Sequence, residues 1–418
     1  MELRKSARLS PARRALGIGT MMFAMLGAAG CQDDPTASDD QEVVIGGIFS
    51  LTGNWASLGV TSKAALELAV EDANAYAAGR GITFSADVRD TRLEPATALS
   101  AVQALQAAGV QVIIGPQSSA ELVAIKPYVD ANQVMVVSQS STAGSLAIAG
   151  DRIFRFTAAD SLEGVASGAL MWADGIRTMV PVWRADAGNQ GLHTATRRAF
   201  SGRGGTVSTG VEYGATTTNF AATVAALGTQ VRAARAARPA AEVGVYLAGF
   251  DEIADLFAAA AADSVLTSVR WYGADGIAQS GALTSRPAAV AFAETVGFPS
   301  ALFGLDLSAS AQWQPVATRI QQRAGSAPDA FALAVYDATW VAALAYLASP
   351  RDVELDSLAT RFVQTAGAYH GTTGWTALNA AGDRKYADFD FWAVRPSGST
   401  HVWTRVAGYE TRSGTLTR

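Results

Sequence analysis

Two kinds of apolar segment alternate along the chain. Short continuous apolar runs, of which residues 43–49 (VVIGGIF) are the first, predict strands that are buried on both faces. Longer segments such as residues 61–77 carry apolar residues at helical spacing, for example Ala65, Leu68 and Ala69, and predict helices with one buried face. This alternation indicates an α/β protein in which helices cover both faces of a parallel sheet.

The alternation runs through two similar series, which predicts two lobes. In the first series we expect strands at residues 43–49, 83–88, 110–114 and 134–137, and helices at residues 61–77, 95–108 and 120–131. In the second series, after Asp160, we expect strands at residues 179–183, 207–213, 243–248 and 269–272, and helices at residues 191–200, 220–236 and 253–262. The remainder predicts a strand from about residue 299, helices at residues 314–323 and 331–348, and a last strand at residues 389–394 before a tail rich in Ser, Thr and Gly.

The loops that follow the strands are the informative ones, because ligands of parallel sheets bind beyond the carboxyl ends of the strands. In the first series these are residues 50–59, 115–121 and 138–145. In the second series they are residues 185–190, 249–252 and 273–277.

Small hydroxyl side chains concentrate in two of the first-series loops. Ser119 opens a predicted helix, whose free amide groups and dipole favour a carboxylate or another anion, and Ser141 and Thr142 lie in the loop 138–145. A hydrogen bond to a charged group contributes about 1.5–3 kcal/mol. Two alternatives stay open: Ser119 can be only an N-cap, and the loop can be an ordinary turn-rich segment.

The second-series loops offer a carboxylate and an aromatic ring. Asp275 follows an apolar strand directly and suits an ammonium group, although it can equally be a turn aspartate before Gly276. Phe250, with Trp55 and Leu58 from the first series, can contact the side chain of a ligand. An isolated aromatic residue is more often part of the core, and that alternative stays open.

Composition and charge narrow the function classes. Hydrophobic residues make up 49% of the 418 residues and charged residues 17%, which excludes a disordered chain. The net charge of −5, with no basic block, argues against a nucleic acid partner. Cys31 is the single cysteine of the chain, so an internal disulfide is impossible.

The N-terminus has the pattern of a secretory signal. Residues 1–14 carry five basic residues and one Glu, an uncharged stretch spans residues 15–30, and its end, Ala28-Ala29-Gly30-Cys31, resembles the lipobox of bacterial lipoproteins. We therefore expect residues 1–30 to be a lipoprotein signal peptide and Cys31 to carry the lipid. The alternative is ordinary cleavage near Gly30 with an idle thiol.

Residues 31–41 have four Asp, one Pro and no large apolar side chain, which predicts a flexible acidic tether. Loss of residues 1–30 removes five basic residues and one acidic residue and leaves a net charge of −9. No segment after the signal is expected to span a membrane.

Catalytic signatures are missing from the sequence. There is no Gly-x-Ser-x-Gly elbow, no His-Glu-x-x-His pair and no Walker lysine loop, and the three histidines stand in unrelated contexts. We expect no catalytic residue, no metal site and no cofactor, so that a secreted hydrolase is disfavoured.

Several short segments carry a resemblance to a known family. They are residues 45–59 with Leu51-Thr52-Gly53, the helix running to residues 71–74, the loops 114–119 and 138–146, the segment 154–160, Tyr336-Asp337-Ala338, and residues 371–390. In this order they resemble the type I periplasmic solute-binding proteins, and most closely the leucine/isoleucine/valine-binding family. The resemblance covers residues 42–394, approximately.

The resemblance implies a role for each site residue. Ser119, Ser141 and Thr142 would hold an α-carboxylate, and Asp275, at the family's Glu position, would hold an α-ammonium. Phe250 falls near a family Tyr that contacts the amino group. Leu58 falls where family members often have an aromatic ring over the ligand side chain, and Trp55 is close enough to replace it.

The resemblance also implies an architecture of two doubly wound parallel-sheet lobes joined by a three-strand hinge. We expect residues 42–157 and 300–386 in lobe 1 and residues 158–299 and 387–418 in lobe 2, with crossings near Thr157, Pro299 and Ala387.

The function that the resemblance implies is that of a lipid-anchored binding protein of an ABC importer, in the periplasm or cell envelope. It would close its two lobes on an amino acid or amide and deliver this ligand to the permease subunits. The alternative is a ligand-sensing or envelope-regulatory lipoprotein with the same fold and no transport role.

Overall fold

A computed structural model of the protein describes residues 40–305 and 307–418. The predicted signal peptide, Cys31 and most of the predicted tether lie outside the described residues. Gln41, which the sequence analysis assigns to the tether, is instead the first residue of a strand, and its amide donates a hydrogen bond to the carbonyl oxygen of Gly81 (3.0 Å).

The first lobe begins with strands and helices in strict alternation. These elements are β1 (Gln41–Phe49), α1 (Ala56–Ala77), β2 (Ile82–Asp90), α2 (Pro95–Ala107), β3 (Val112–Ile114), α3 (Ser119–Ala131), β4 (Met135–Ser138) and β5 (Ile153–Arg155). The five strands form one parallel sheet in the order β2-β1-β3-β4-β5. Strands β3 and β4 are entirely buried, which confirms that their continuous apolar runs belong to a sheet covered on both faces.

The second lobe repeats the alternation. Its elements are α4 (Asp160–Ala173), β6 (Thr178–Arg184), α5 (Ala187–Gly202), β7 (Thr206–Val207), β8 (Val211–Tyr213), α6 (Ala221–Ala237), β9 (Val243–Ala248), α7 (Ile253–Ala260), β10 (Arg270–Gly273), α8 (Gly281–Thr284), α9 (Pro287–Val296) and β11 (Ser300–Phe303). The single strand predicted at residues 207–213 is two short strands, because Gly210 takes a left-handed φ of 81° between them.

The chain then returns to the first lobe and ends in the second. The returning elements are α10 (Ser310–Ala324), α11 (Ala330–Leu347), α12 (Leu355–Ala368), β12 (His370–Gly371) and β13 (Gly374–Trp375), and the last strands are β14 (Phe389–Ser397), β15 (Thr400–Glu410) and β16 (Thr415–Thr417). The second sheet has the order β16-β15-β14-β11-β10-β9-β6-β7, with β8 also paired to β6. It is parallel from β7 to β11 and antiparallel from β14 to β16.

The C-terminal tail differs from its prediction. Residues 400–410 and 415–417 extend the second sheet by two strands, where only a tail rich in Ser, Thr and Gly was predicted. Strand β15 alternates exposed and partly buried residues over its first half, as expected for a strand with one solvent-facing side. The abundance of Ser, Thr and Gly concealed this pattern.

The chain crosses between the lobes three times. The first crossing joins β5 to α4, and the third leads into β14. Strand β11 pairs with β10 and β14 in the second sheet, so the second crossing follows Phe303 and not Pro299, the predicted boundary. A short apolar strand fits either sheet equally well, and its sequence does not reveal which sheet it joins.

Helix α11 is apolar along almost its whole length. It has the length and composition of a membrane-spanning helix, contrary to the expectation that no segment after the signal has them. It is largely buried in the first lobe, where it packs against α1 and α12. Its Asp337 accepts hydrogen bonds from the amides of Thr372 and Thr373 (2.8 Å each). Helix α11 is therefore packed as a core helix.

Candidate functional site

The start of helix α3 presents Ser119 to the space between the lobes. Ser118 is the N-cap: its hydroxyl accepts from the Glu121 amide (3.2 Å), and the Glu121 carboxylate accepts from the Ser118 amide (3.1 Å). The alternative that Ser119 is the cap is therefore wrong. The Ser119 hydroxyl lies 3.0 Å from the Ser141 hydroxyl and accepts from the Ala143 amide (3.2 Å).

The loop after β4 is fixed to the loop after β3 by hydroxyl groups. Ser138 donates to the carbonyl of Pro116 (2.6 Å), and Ser140 donates to the carbonyl of Gln117 (2.9 Å). The amide of Ser141 donates back to the Ser138 hydroxyl (3.0 Å). The two loops therefore form one rigid wall, and they hold Ser119, Ser141 and Thr142 in buried positions on it.

The opposite wall, in the second lobe, carries carboxyl groups. Asp275 begins a short 3-10 turn directly after β10, and its amide donates to the Glu163 carboxylate (3.2 Å). Asp160 and Glu163 lie one turn apart on α4. The amide of Asp160 donates to the carbonyl of Thr142 (3.0 Å), so that this wall meets the hydroxyl wall at Thr142.

Burial changes the acidity of these three groups. Loss of solvation raises the pKa of Asp160 to about 7. Loss of solvation and the neighbouring Asp160 raise the pKa of Asp275 to about 7. Burial, with Asp275 and Asp160 nearby, raises the pKa of Glu163 well above its usual value. The three carboxyls therefore compete for protons, and a cation among them would favour their charged forms.

An aromatic contact joins the two lobes beside these walls. Trp55, from the loop before α1, stacks on Phe250, from the loop after β9, with ring centroids 4.4 Å apart, and meets the edge of Phe331 at 6.2 Å. Leu58 is buried in the same apolar cluster. The Ser57 hydroxyl lies 3.2 Å from both carboxylate oxygens of Asp251, so the lobes are closed on each other here.

A cavity of about 1140 Å³ lies between the lobes. None of the seven residues predicted to bind a ligand lines it. Their sequence neighbours do: Asn54 and Ala56 flank Trp55, and Asp251 follows Phe250. The predicted residues thus form a closed, buried cluster, and the open cavity adjoins it at the Trp55–Phe250 stack.

The sequence analysis missed a charged group in this cleft. Arg184 is the last residue of β6, and its guanidinium lies over the Phe250 ring (5.2 Å to the centroid). Its Nε is 2.9 Å from a carboxylate oxygen of Asp186, and its Nη1 is 3.5 Å from Glu252. Arg184 could have been identified from the sequence, because it directly follows the predicted strand 179–183 and therefore lies at the carboxyl end of a strand.

Comparison with known proteins identifies the family of this fold. A family model described as periplasmic binding protein matches residues 42–393. An uncharacterized protein of Methanocaldococcus jannaschii is 26% identical over 424 residues, which cover 95% of this chain and 98% of the relative.

Two solved structures of amino acid binders are similar to the chain. The isoleucine complex of a branched-chain amino acid transporter substrate binding protein from Streptococcus pneumoniae has a TM-score of 0.71 and 19% identity, and covers 87% of this chain and 100% of its own. A leucine binding protein from Thermotoga maritima has a TM-score of 0.72 and 20% identity, and the match covers 89% of this chain and 99% of the Thermotoga maritima chain.

A third similar structure holds a different ligand. The benzoate complex of a solute binding protein from R. palustris has a TM-score of 0.72 and 18% identity, and covers 87% of this chain and 96% of its own. The family is one of binding proteins, in agreement with the prediction that the chain is not an enzyme, and it implies a location outside the cytoplasmic membrane. The chain belongs to the periplasmic binding protein family and has the two-lobed fold of its branched-chain amino acid binders.

Proposed function

We propose that the protein is a lipid-anchored solute-binding protein that delivers a small, amino acid-like ligand to an ABC importer. The observation that carries this proposal is the pair of facing walls in one cleft. Ser119, Ser141 and Thr142 stand on the hydroxyl wall, and Asp275 stands on the carboxyl wall. These are complementary to the two ends of a zwitterion.

The hydroxyl wall suits a carboxylate. Ser119 stands at the amino end of α3, where the helix dipole favours negative charge, and the Ser141 hydroxyl lies 3.0 Å from the Ser119 hydroxyl. Asp275 suits the ammonium group, because a buried ammonium group without a carboxylate partner would cost several kcal/mol. Trp55 and Phe250 would contact the ligand's side chain when their stack parts, and Leu58 would support Trp55 from the same apolar cluster.

Closure of the lobes around three crossings would couple binding to transport. A ligand that contacts both walls favours the closed arrangement by the difference between its affinities for the closed and open forms. The permease would then recognise the closed arrangement, in which the surfaces of both lobes are brought together.

A thermal-shift panel of the purified protein tests this function. Amino acids, amides and small carboxylates are each added at a range of concentrations. At about 100 times its dissociation constant, a bound ligand should raise the free energy of unfolding by about 2.7 kcal/mol. Stabilisation by at least one amino-bearing carboxylate is the expected result, and no response to any of them would refute the amino acid assignment.

Membrane attachment has a separate test. Replacement of Cys31 by Ser removes the thiol that would be acylated. We expect the variant to move from the membrane fraction to the soluble fraction after cell lysis, while its response in the thermal-shift panel stays unchanged. Continued recovery of Cys31→Ser with the membranes would show that the anchor lies elsewhere.

A further inference from the structure

The carboxyl wall carries more carboxyl groups than a single ammonium group requires. Asp160, Glu163 and Asp275 are each at most 5% exposed, and they interact with one another electrostatically. One zwitterion brings one positive charge to this wall. The wall therefore has carboxyl groups in excess for a neutral amino acid.

The cationic side chains near the cleft are already paired with other acids. Arg155 is the positive group near Asp160, but Asp383 binds its Nε and Nη2 at 2.5 and 2.7 Å. Arg184 stands between Asp186 and Glu252. Within residues 40–305 and 307–418, no ion pair includes Asp160, Glu163 or Asp275.

A second observation points to an occupant of this wall. Tyr246, on β9, is fully buried and its hydroxyl forms no well-oriented hydrogen bond. The phenol lies near Thr196 and within electrostatic range of Glu163, Asp275 and Asp160. Neither carboxyl oxygen of Asp160 accepts a well-oriented hydrogen bond either. Buried polar atoms in this state are costly, and donors from a ligand would satisfy them.

The acidic character continues into the adjoining cavity. Five of its lining residues are acidic, namely Asp251, Glu252, Asp255, Asp329 and Asp390, and two, Arg286 and His401, are basic. Arg286 is paired with Asp255, and His401 lies 3.4 Å from Glu294. Asp329 interacts electrostatically with Asp275, which connects the cavity to the carboxyl wall.

Aromatic side chains line the same cavity. Trp313, Trp392 and Trp403 contribute to its surface together with the acidic residues. Aromatic faces attract organic cations, by about 0.5–1 kcal/mol at exposed sites and about 2 kcal/mol or more where water is excluded. Carboxylates and indole rings around one cavity are a combination that suits an amine with an apolar chain.

We infer that the ligand of the interlobe cleft is an organic cation with at least two amino groups, such as a basic amino acid or a linear polyamine. One ammonium group occupies the wall of Asp160, Glu163 and Asp275, and the second reaches Asp329 in the cavity. This inference rests on the proposed function, because it specifies the ligand class of the same cleft.

The test compares matched ligands on the purified protein by calorimetric titration. L-lysine and L-norleucine share the amino acid group and differ in the terminal amine. We expect the protein to bind L-lysine at least tenfold more tightly than L-norleucine. Spermidine has amino groups but no carboxylate, and it separates polyamines from basic amino acids. If the protein binds spermidine more tightly than L-lysine, the cleft is assigned to polyamines. If it binds spermidine more weakly, the cleft is assigned to basic amino acids.

A variant locates the second amino group. Asp329 is the N-cap of α11, where its carboxylate accepts from the Ala332 amide (2.8 Å), and Asn is an equally good N-cap. Asp329→Asn should therefore fold normally and lower the L-lysine to L-norleucine affinity ratio at least tenfold. Asp356→Asn, at an exposed position on α12, is the matched control and should leave this ratio unchanged.

Separate results overturn this inference and the proposed function. Equal affinities for L-lysine and L-norleucine, with spermidine bound no more tightly than either, would overturn the cationic ligand and leave an amino acid-binding protein. An unchanged affinity ratio in Asp329→Asn would also overturn it. Binding of Ca²⁺ to the carboxyl wall in place of amines would assign the wall to a metal ion. Binding of none of the amines or amino acids would overturn both proposals.

Discussion

Replacement of Asp383 by Ala is expected to lower the free energy of unfolding by about 3–5 kcal/mol, because Arg155 would stay buried without its carboxylate. Arg155 is 1% exposed, and both of its donors to Asp383 form short hydrogen bonds. The pair joins the end of β5, at the first crossing, to the segment before the third crossing. Urea denaturation of the purified protein, followed by circular dichroism, measures the loss.

An exposed ion pair of the same lobe is the matched control. Arg152 and Asp356 lie 2.9 Å apart, but the Asp356 side chain is 78% exposed. Exposed pairs contribute about 0–1 kcal/mol, since water and salt screen them. Asp356→Ala should therefore shift the urea midpoint slightly or not at all. Equal losses in the two variants would contradict the structural role of the Arg155–Asp383 pair.

Replacement of Asp275 by Asn is expected to weaken ligand binding at least about 30-fold. Loss of one partner of a buried charge pair costs about 2–5 kcal/mol in binding, and 1.4 kcal/mol corresponds to a factor of ten. Calorimetric titration with the ligand that stabilises the protein most in the thermal-shift panel measures the change. Asp356→Asn, which changes an exposed carboxylate outside the cavity, should retain the affinity.

The stability of Asp275→Asn should move in the opposite direction from its affinity. Burial and the neighbouring Asp160 raise the pKa of Asp275 to about 7, so above pH 7 the folded protein must hold an unfavourable buried charge. Stability from this group is present at low pH and is lost as the pH rises through about 7. Asn removes that cost. A variant that lost affinity only because it was partly unfolded would be less stable at pH 8, which would contradict the binding role.

The hydrophobic pattern was sufficient to predict most of the parallel sheets. Apolar runs such as residues 110–114 and 243–248 are short and buried on both faces, as expected for central strands of a covered sheet. Where the hydrophobic pattern was weaker, helices and strands were not predicted. The strands after residue 397 alternate only partly, and helix α4 was not predicted because its apolar stripe follows directly on the first crossing.

The candidate site was predictable in part. Ser119, Ser141 and Asp275 could be singled out because they follow strands, and strand ends are fixed by the sheet; their binding roles stay a prediction. Asp160 and Glu163 lie on a helix that packs back on the cleft, and their approach to Asp275 depends on contacts between residues more than 100 positions apart. The stack of Trp55 on Phe250 depends on lobe closure in the same way. No local sequence pattern contains such contacts.

The crystal structure of the complex with the most stabilising ligand tests the central claim most directly. We expect the ligand between the lobes, with an amino nitrogen at hydrogen-bond distance from the Asp275 carboxylate. A carboxylate group, where the ligand has one, should lie on the hydroxyls of Ser119 and Ser141. Electron density for the ligand outside the cleft, or an amino group that faces away from Asp275, would contradict it.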